Sequence, residues 1–189
     1  QSYGSNNKYW DYTKSILGNK YKWSEKKNDI FFRGNKRNFI EYIDNKTGFL
    51  KVNNTNVRFK HKSYKTFDFV PMNEQCGFKH LLQLPGCWPS HSNRLKWLLA
   101  CKSSVIMTQS NWYEYWYPLL RPFESFIPLE NVALTNALNF DKVELCLRNY
   151  DDEVSKIAIN GWNVVQSVSY KFHELYTRKV LMKYSKLLV

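Results

Sequence analysis

Between Phe78 and Pro128 the chain alternates short apolar runs with helical patches and small-residue turns, and this limits the fold more than any other feature. Phe78 to Leu84, Val105-Ile106-Met107 and Phe126-Ile127 read as short buried strands. Between them, Asn93 to Ala100 places Leu95, Leu98 and Leu99 on one side of a helix, and Asn111 to Leu120 reads as an aromatic helix. Strands separated by crossover helices predict a parallel sheet and an α/β class. Upstream, Phe67 to Val70 reads as a strand. Ile30-Phe31-Phe32 reads as a buried strand stopped by a tight turn at Arg33-Gly34.

The ends of the chain are less sharply patterned. Tyr9 to Leu17 predicts a short helix ending at Gly18, and the polar, Asn- and Lys-rich stretch from Asn45 to Lys65 reads as a loop or irregular linker. Asn136 to Arg148 and Asp151 to Asn160 predict helices, the second N-capped by Asp151-Asp152-Glu153 and C-capped by Gly161. A long final helix follows. Its stripe of Val165, Val168, Phe172, Leu175, Tyr176, Met182 and Leu187 reads as core packing, with the helix lying back across the sheet. The organisation expected is a linking segment over 1–65 and a Rossmann-like domain over 66–189.

At 189 residues the chain can bury a genuine core in one domain. A hydrophobic content of 43% with 17% aromatics excludes a disordered polymer. No apolar window approaches the roughly 20 residues needed to cross a bilayer. The chain opens with Gln1 rather than Met, so the true N-terminus is expected further upstream. A net charge of +12 favours polyanionic partners, but the excess is spread over Lys8 to Lys65, and a solvated Lys-rich surface is the plainer reading. Cys76, Cys87, Cys101 and Cys146 contain no CxxC pair, which argues against a zinc ribbon, and they are too few for a disulfide framework. Asn45-Lys46-Thr47 and Asn53-Asn54-Thr55 are glycosylation sequons, weak support for a secretory location in Asn-rich sequence.

Two arginines carry the candidate chemistry. Arg33-Gly34 follows an apolar strand, where glycine admits a phosphate close to backbone and arginine neutralises it; an ordinary strand-ending turn is the alternative. Arg94 follows Ser90-His91-Ser92 at a helix start, where backbone N–H groups already attract anions; a surface arginine is the alternative. Together they weigh more than either alone, because open α/β sheets bind ligands at the carboxyl ends of their strands. Glu114, in the run Trp112 to Pro118, is placed to accept ribose hydroxyls or else is a partly exposed acid. His61, His80, His91 and His173 lack metal-ligand spacing and read as structural or solvent-facing. No Walker A, GxGxxG, GxSxG or strand-following Asp-x-Asp occurs.

Taken together, these residues resemble glycosyltransferase family 90, the group of protein O-glucosyltransferases and capsule-associated xylosyltransferases. Trp10-Asp11, Trp23 and Phe32-Arg33-Gly34 resemble its Trp-Asp, Trp and Phe-Arg-Gly signature, and Phe78-Lys79-His80-Leu81 its Tyr-Lys-Tyr-Leu strand. Ser92-Asn93-Arg94-Leu95-Lys96 and Leu98 to Ser103 are similar to Ser-x-Arg-x-Lys and Leu-x-x-Cys-Gly-Ser. Glu114 to Pro128 and Asp151 to Gly161 match two further motifs, with Ser125 where histidine is usual.

The resemblance implies the Rossmann-like donor-binding half of a GT-B glycosyltransferase. A UDP-sugar would be its donor and a protein or glycan its acceptor, EGF-like repeats among the candidates. Inversion without metal or other cofactor is implied, with glucose or xylose transferred. The expected donor contacts are Arg33, Gly34, Asn35, Arg37, Trp88, Ser92, Arg94 and Glu114. The family's catalytic aspartate has no counterpart here, so the base is expected upstream and this chain alone is expected to be inactive. The resemblance also implies a Cys76–Cys101 disulfide, free thiols at Cys87 and Cys146, glycosylation at Asn45 and Asn53, and residence in the endoplasmic reticulum or Golgi lumen. A non-catalytic basic module, either a degenerate transferase or a nucleic-acid binder, is the competing expectation.

Overall fold

Ile30, Phe31, Leu81, Leu82, Val105 and Ile106 are each at most 2% exposed, as strands covered on both faces must be. The computed structural model describes residues 7–34, 57–61, 71–83, 94–108, 114–129, 131–132, 137–138 and 141–187. The chain begins with helix α1 (Asn7–Asn19), two residues longer at each end than its apolar pattern indicates. Strands β1 (Lys27–Gly34) and β2 (Val57–His61) follow, then the one-turn helix α2 (Met72–Gln75) and β3 (Phe78–Gln83). Helix α3 (Leu95–Ala100) leads to β4 (Ser104–Thr108), and β5 (Ile127–Leu129) completes the sheet.

Among the described residues the sheet order is β2-β1-β3-β4-β5, with every pairing parallel. This is a doubly wound, Rossmann-like α/β arrangement, as the sequence predicts. β1 and β2 both lie before residue 66, so the 65/66 boundary runs through one sheet. β2 also falls inside the stretch read as a loop. Among the described residues it is an edge strand paired with β1, where polar side chains are tolerated, and Val-Arg-Phe-Lys-His lacks the apolar run that marks a central strand. The expected strand Phe67 to Val70 lies outside the described residues.

One face of the sheet presents Ile30, Phe32, Leu82, Ile106, Ile127 and Leu129 to Val143 and Leu147 of α4 (Asp141–Asn149) and to Val154 and Ile157 of α5 (Asp151–Ser167). The other presents Phe31, Leu81 and Val105 to Leu95, Leu98 and Leu99 of α3, to Leu17 of α1 and to Val165 late in α5. Helix α5 thus starts on one face and ends on the other, passing Ser125 just before β5. Gly161 is the passing point, not the C-cap expected of it. A Cβ there would lie 2.5 Å from the Ser125 carbonyl oxygen and 2.9 Å from Leu99 Cδ2, so only glycine lets α5 come this close. A short antiparallel pair joins β6 (Asn131–Val132) to β7 (Ala137–Leu138), and β7 occupies residues expected to begin a helix, which starts instead at Asp141.

The other departures concern aromatic and acidic runs. Residues 114–120 form a turn and a 3-10 segment at Tyr117–Leu119 rather than the end of an aromatic helix, since Pro118 removes a donor and fixes its neighbour's backbone. The N-cap of α5 is Tyr150; Asp151, Asp152 and Glu153 fill its first turn, where their charge complements the helix dipole. Asp151 instead accepts hydrogen bonds from Trp23 Nε1 (3.1 Å) and Lys79 Nζ (2.8 Å), tying α5 to the amino end of β3. The final helix, α6 (Tyr170–Ser185), is capped by Ser169, and Val165 belongs to α5. Val165 and Val168 are core as expected, and Phe172 packs against their cluster, but no residue of α6 is itself fully buried and the rest of the stripe is not core. Phe172 and Tyr176 stack on Tyr115, while Leu175, Leu181, Met182 and Leu187 are exposed.

Candidate donor site

In the order β2-β1-β3-β4-β5 the chain leaves β1 toward one edge and β3 toward the other. The crevice between such diverging connections lies at the carboxyl ends of β1 and β3. Arg33 and Gly34 are the last two residues of β1, and Arg94 is the N-cap of the helix after β3. Arg94 lies against β1: its guanidinium carbon is 5.2 Å from the centre of the Phe32 ring, and Nη2 donates to Gln75 Oε1 at 2.9 Å. The ring supplies a flat apolar platform and a favourable quadrupole, while the amide oxygen sets the fork. Arg33-Gly34 continues β1 instead of forming the turn expected.

Glu114 enters from the segment after β4. Its Oε2 accepts from Trp116 Nε1 at 2.6 Å, and its charge works to raise the pKa of Lys96 on the first turn of α3. Burial outweighs that effect and lowers the Lys96 pKa overall. The two aromatic neighbours Tyr115 and Tyr117 are pushed up to about 12 by burial and then by the Glu114 charge. Tyr115 also hydrogen-bonds His173 Nδ1 on α6. The structure therefore brings Arg94 to the end of β1 and Glu114 to the neighbouring turn of α3. Asn35, Arg37, Trp88, Ser92, Asn45 and Asn53 lie outside the described residues.

Sequence reasoning missed Gln75, whose role depends on a chain crossing 19 residues long and carries no local pattern. It also missed Lys26, which is buried and donates to the Cys101 carbonyl (2.7 Å), the Lys102 carbonyl (2.8 Å) and Ser103 Oγ (2.8 Å). These oxygens sit at the C-terminal end of α3, where a cation complements the helix dipole. Burial, and secondarily Lys102, depress the Lys26 pKa to about 7. His80 is structural: Nδ1 pairs with Ser104 Oγ (2.7 Å), Nε2 with Asn28 Oδ1 (3.0 Å), and burial lowers its pKa to about 3, leaving it neutral. Cys76 and Cys101 form a disulfide with 4.8 Å between their α-carbons. Cys146 is free, and Cys87 lies outside the described residues. Among the described residues no group of His, Cys, Asp and Glu could hold a metal ion, and no helix is long and apolar enough to cross a membrane.

A parallel sheet in the order β2-β1-β3-β4-β5 with helices on both faces defines a Rossmann-like α/β protein. Residues 6–189 match the family described as Glycosyl transferase family 90, and the chain belongs to that family. It is 28% identical over 178 residues to an O-glucosyltransferase rumi homolog of Aedes aegypti, covering 88% of this chain and 43% of that protein. Against O-glucosyltransferase rumi of Drosophila melanogaster it is 25% identical over 182 residues, or 88% of this chain and 42% of the relative. Protein O-glucosyltransferase 1 of Homo sapiens is 28% identical over 120 residues, covering 63% and 29%. The chain thus spans less than half the length of these relatives.

Proposed function

We propose that this chain is the donor-binding portion of a UDP-sugar-dependent, inverting glycosyltransferase with GT-B architecture. The observation that carries the reading is Arg94 resting on Phe32 beside the carboxyl end of β1, the place where a doubly wound sheet accepts a nucleotide diphosphate. Arg94 offers a planar fork to the diphosphate, and Arg33 and Gly34 offer charge and a close backbone approach. We assign Glu114, whose charge acts on Lys96 of α3, to the ribose hydroxyls. Relatives named O-glucosyltransferases favour a hexose donor and a protein acceptor. Transfer needs a base to deprotonate the acceptor hydroxyl, and the chain spans less than half the length of its relatives, so we assign the base to the part of the enzyme beyond this chain. The disulfide and the two sequons favour a lumenal, oxidising compartment.

A calorimetric titration tests the site. UDP should bind, and Arg94→Ala should weaken it by about 2 kcal/mol, the scale of a lost hydrogen bond to a charged group. Unchanged UDP affinity in a folded Arg94→Ala chain would remove Arg94 from the site. Duplex DNA, titrated in parallel at two salt concentrations, covers the basic-module reading, because phosphate-backbone binding falls steeply with salt.

A further inference from the structure

We infer that Gln75 is a positioning residue for Arg94, and that the pair Gln75-Cys76 aligns α3 for donor binding. This rests on the reading of Arg94 as a diphosphate ligand. Gln75 is 6% exposed, and its Oε1 receives Arg94 Nη2 at 2.9 Å. The next residue, Cys76, is bonded to Cys101 immediately after α3. Two consecutive residues on the segment entering β3 thus grip the helix at both ends: Gln75 holds the arginine at its start, and Cys76 holds the cysteine at its finish. Lys26 adds three hydrogen bonds at the same finishing end.

Arginine has four rotatable side-chain bonds, and ordering them on binding costs affinity. A guanidinium already held edge-on by an amide and face-on by the Phe32 ring avoids much of that cost, and its plane is set before the ligand arrives. The disulfide matters to the site for the same reason, since it keeps the six-residue helix from tilting away from β3.

The test is a double-mutant cycle read as UDP affinity of the full chain. Gln75→Met keeps side-chain length and removes the acceptor. It should weaken UDP about ten-fold in the native background, the effect of a lost hydrogen bond to a charged group. In an Arg94→Ala background it should have no further effect. Equal weakening in both backgrounds would show a merely structural role and overturn the inference. No weakening by Gln75→Met, with Arg94→Ala still impaired, would overturn it and leave the Arg94 site intact. No weakening by Arg94→Ala would sink the site itself. Should Gln75→Met fail to fold, Gln75→Asn, which retracts the acceptor by one methylene, asks the same question with the same outcomes.

Discussion

Gly161 and Lys26 show how single residues set this packing. Replacing glycine by alanine inside a helix normally gains about 1 kcal/mol. Here the new methyl would meet a backbone oxygen at 2.5 Å, and backbone cannot move aside as a side chain can. Overpacking of this kind costs about 1–3 kcal/mol, so after the propensity gain Gly161→Ala should still destabilise, by up to about 2 kcal/mol in urea unfolding; a stabilised variant would contradict the close crossing of α5. Lys26 makes a prediction about pH. Its folded pKa of about 7 lies below the ordinary 10.5. Between those values the unfolded chain binds more protons than the folded one, so this residue makes stability rise with pH across that window. Compared with Lys26→Met, the native chain should therefore gain stability between about pH 7 and pH 10, and a native chain that loses stability relative to Lys26→Met across that window would contradict the buried position. Lys102, at φ 50, occupies the left-handed position that glycine usually takes after a helix. Its Nζ lies 4.0 Å from the centre of the Trp162 ring and donates to Asn19 Oδ1, contacts that offset the strain.

Helix α3 is too short to be stable alone and is defined by what fastens it. Its disulfide closes a loop with a sequence separation of 25, which the chain-entropy account values at about 3 kcal/mol. The Cys76→Ala/Cys101→Ala chain should lose about that much in urea unfolding, and loss of less than about 1 kcal/mol would show that Lys26 and packing suffice. In the denatured, unreduced chain two cysteines, Cys87 and Cys146, should label with a thiol reagent; four labelled would contradict the bridge. Elements with a strong apolar run were legible in the sequence: β1, β3, β4, β5 and α3 all lie where Ile30 to Phe32, Leu81 to Leu82, Val105 to Met107, Ile127 and Leu95 to Leu99 put them. The edge strand β2 was not, because its stability comes from pairing with β1 rather than from its own composition. The stripe running into α6 is core only at its start, at Val165, Val168 and the packed Phe172, while Leu175, Leu181, Met182 and Leu187 are exposed: periodicity shows which residues share a face, and only tertiary contacts show how far that face is covered.

For the molecule as a whole, alternation of strands and helices revealed the parallel sheet, and two arginines after apolar strands pointed to its carboxyl edge. The order β2-β1-β3-β4-β5 was not readable, since crossovers of similar length serve several orders, and it is this order that puts the switch point between β1 and β3. Arg94 was legible by its place at a helix start, but its contacts with Phe32 and Gln75 were not. The central claim is that a nucleotide diphosphate binds at that edge. Hydrogen exchange measured with and without saturating UDP tests it most directly. Protection should rise in peptides containing Arg33-Gly34 and the start of α3, and should stay unchanged at the opposite edge, around Lys26, Ser103 and Asp151. Protection confined to that opposite edge, or none at all, would contradict the account.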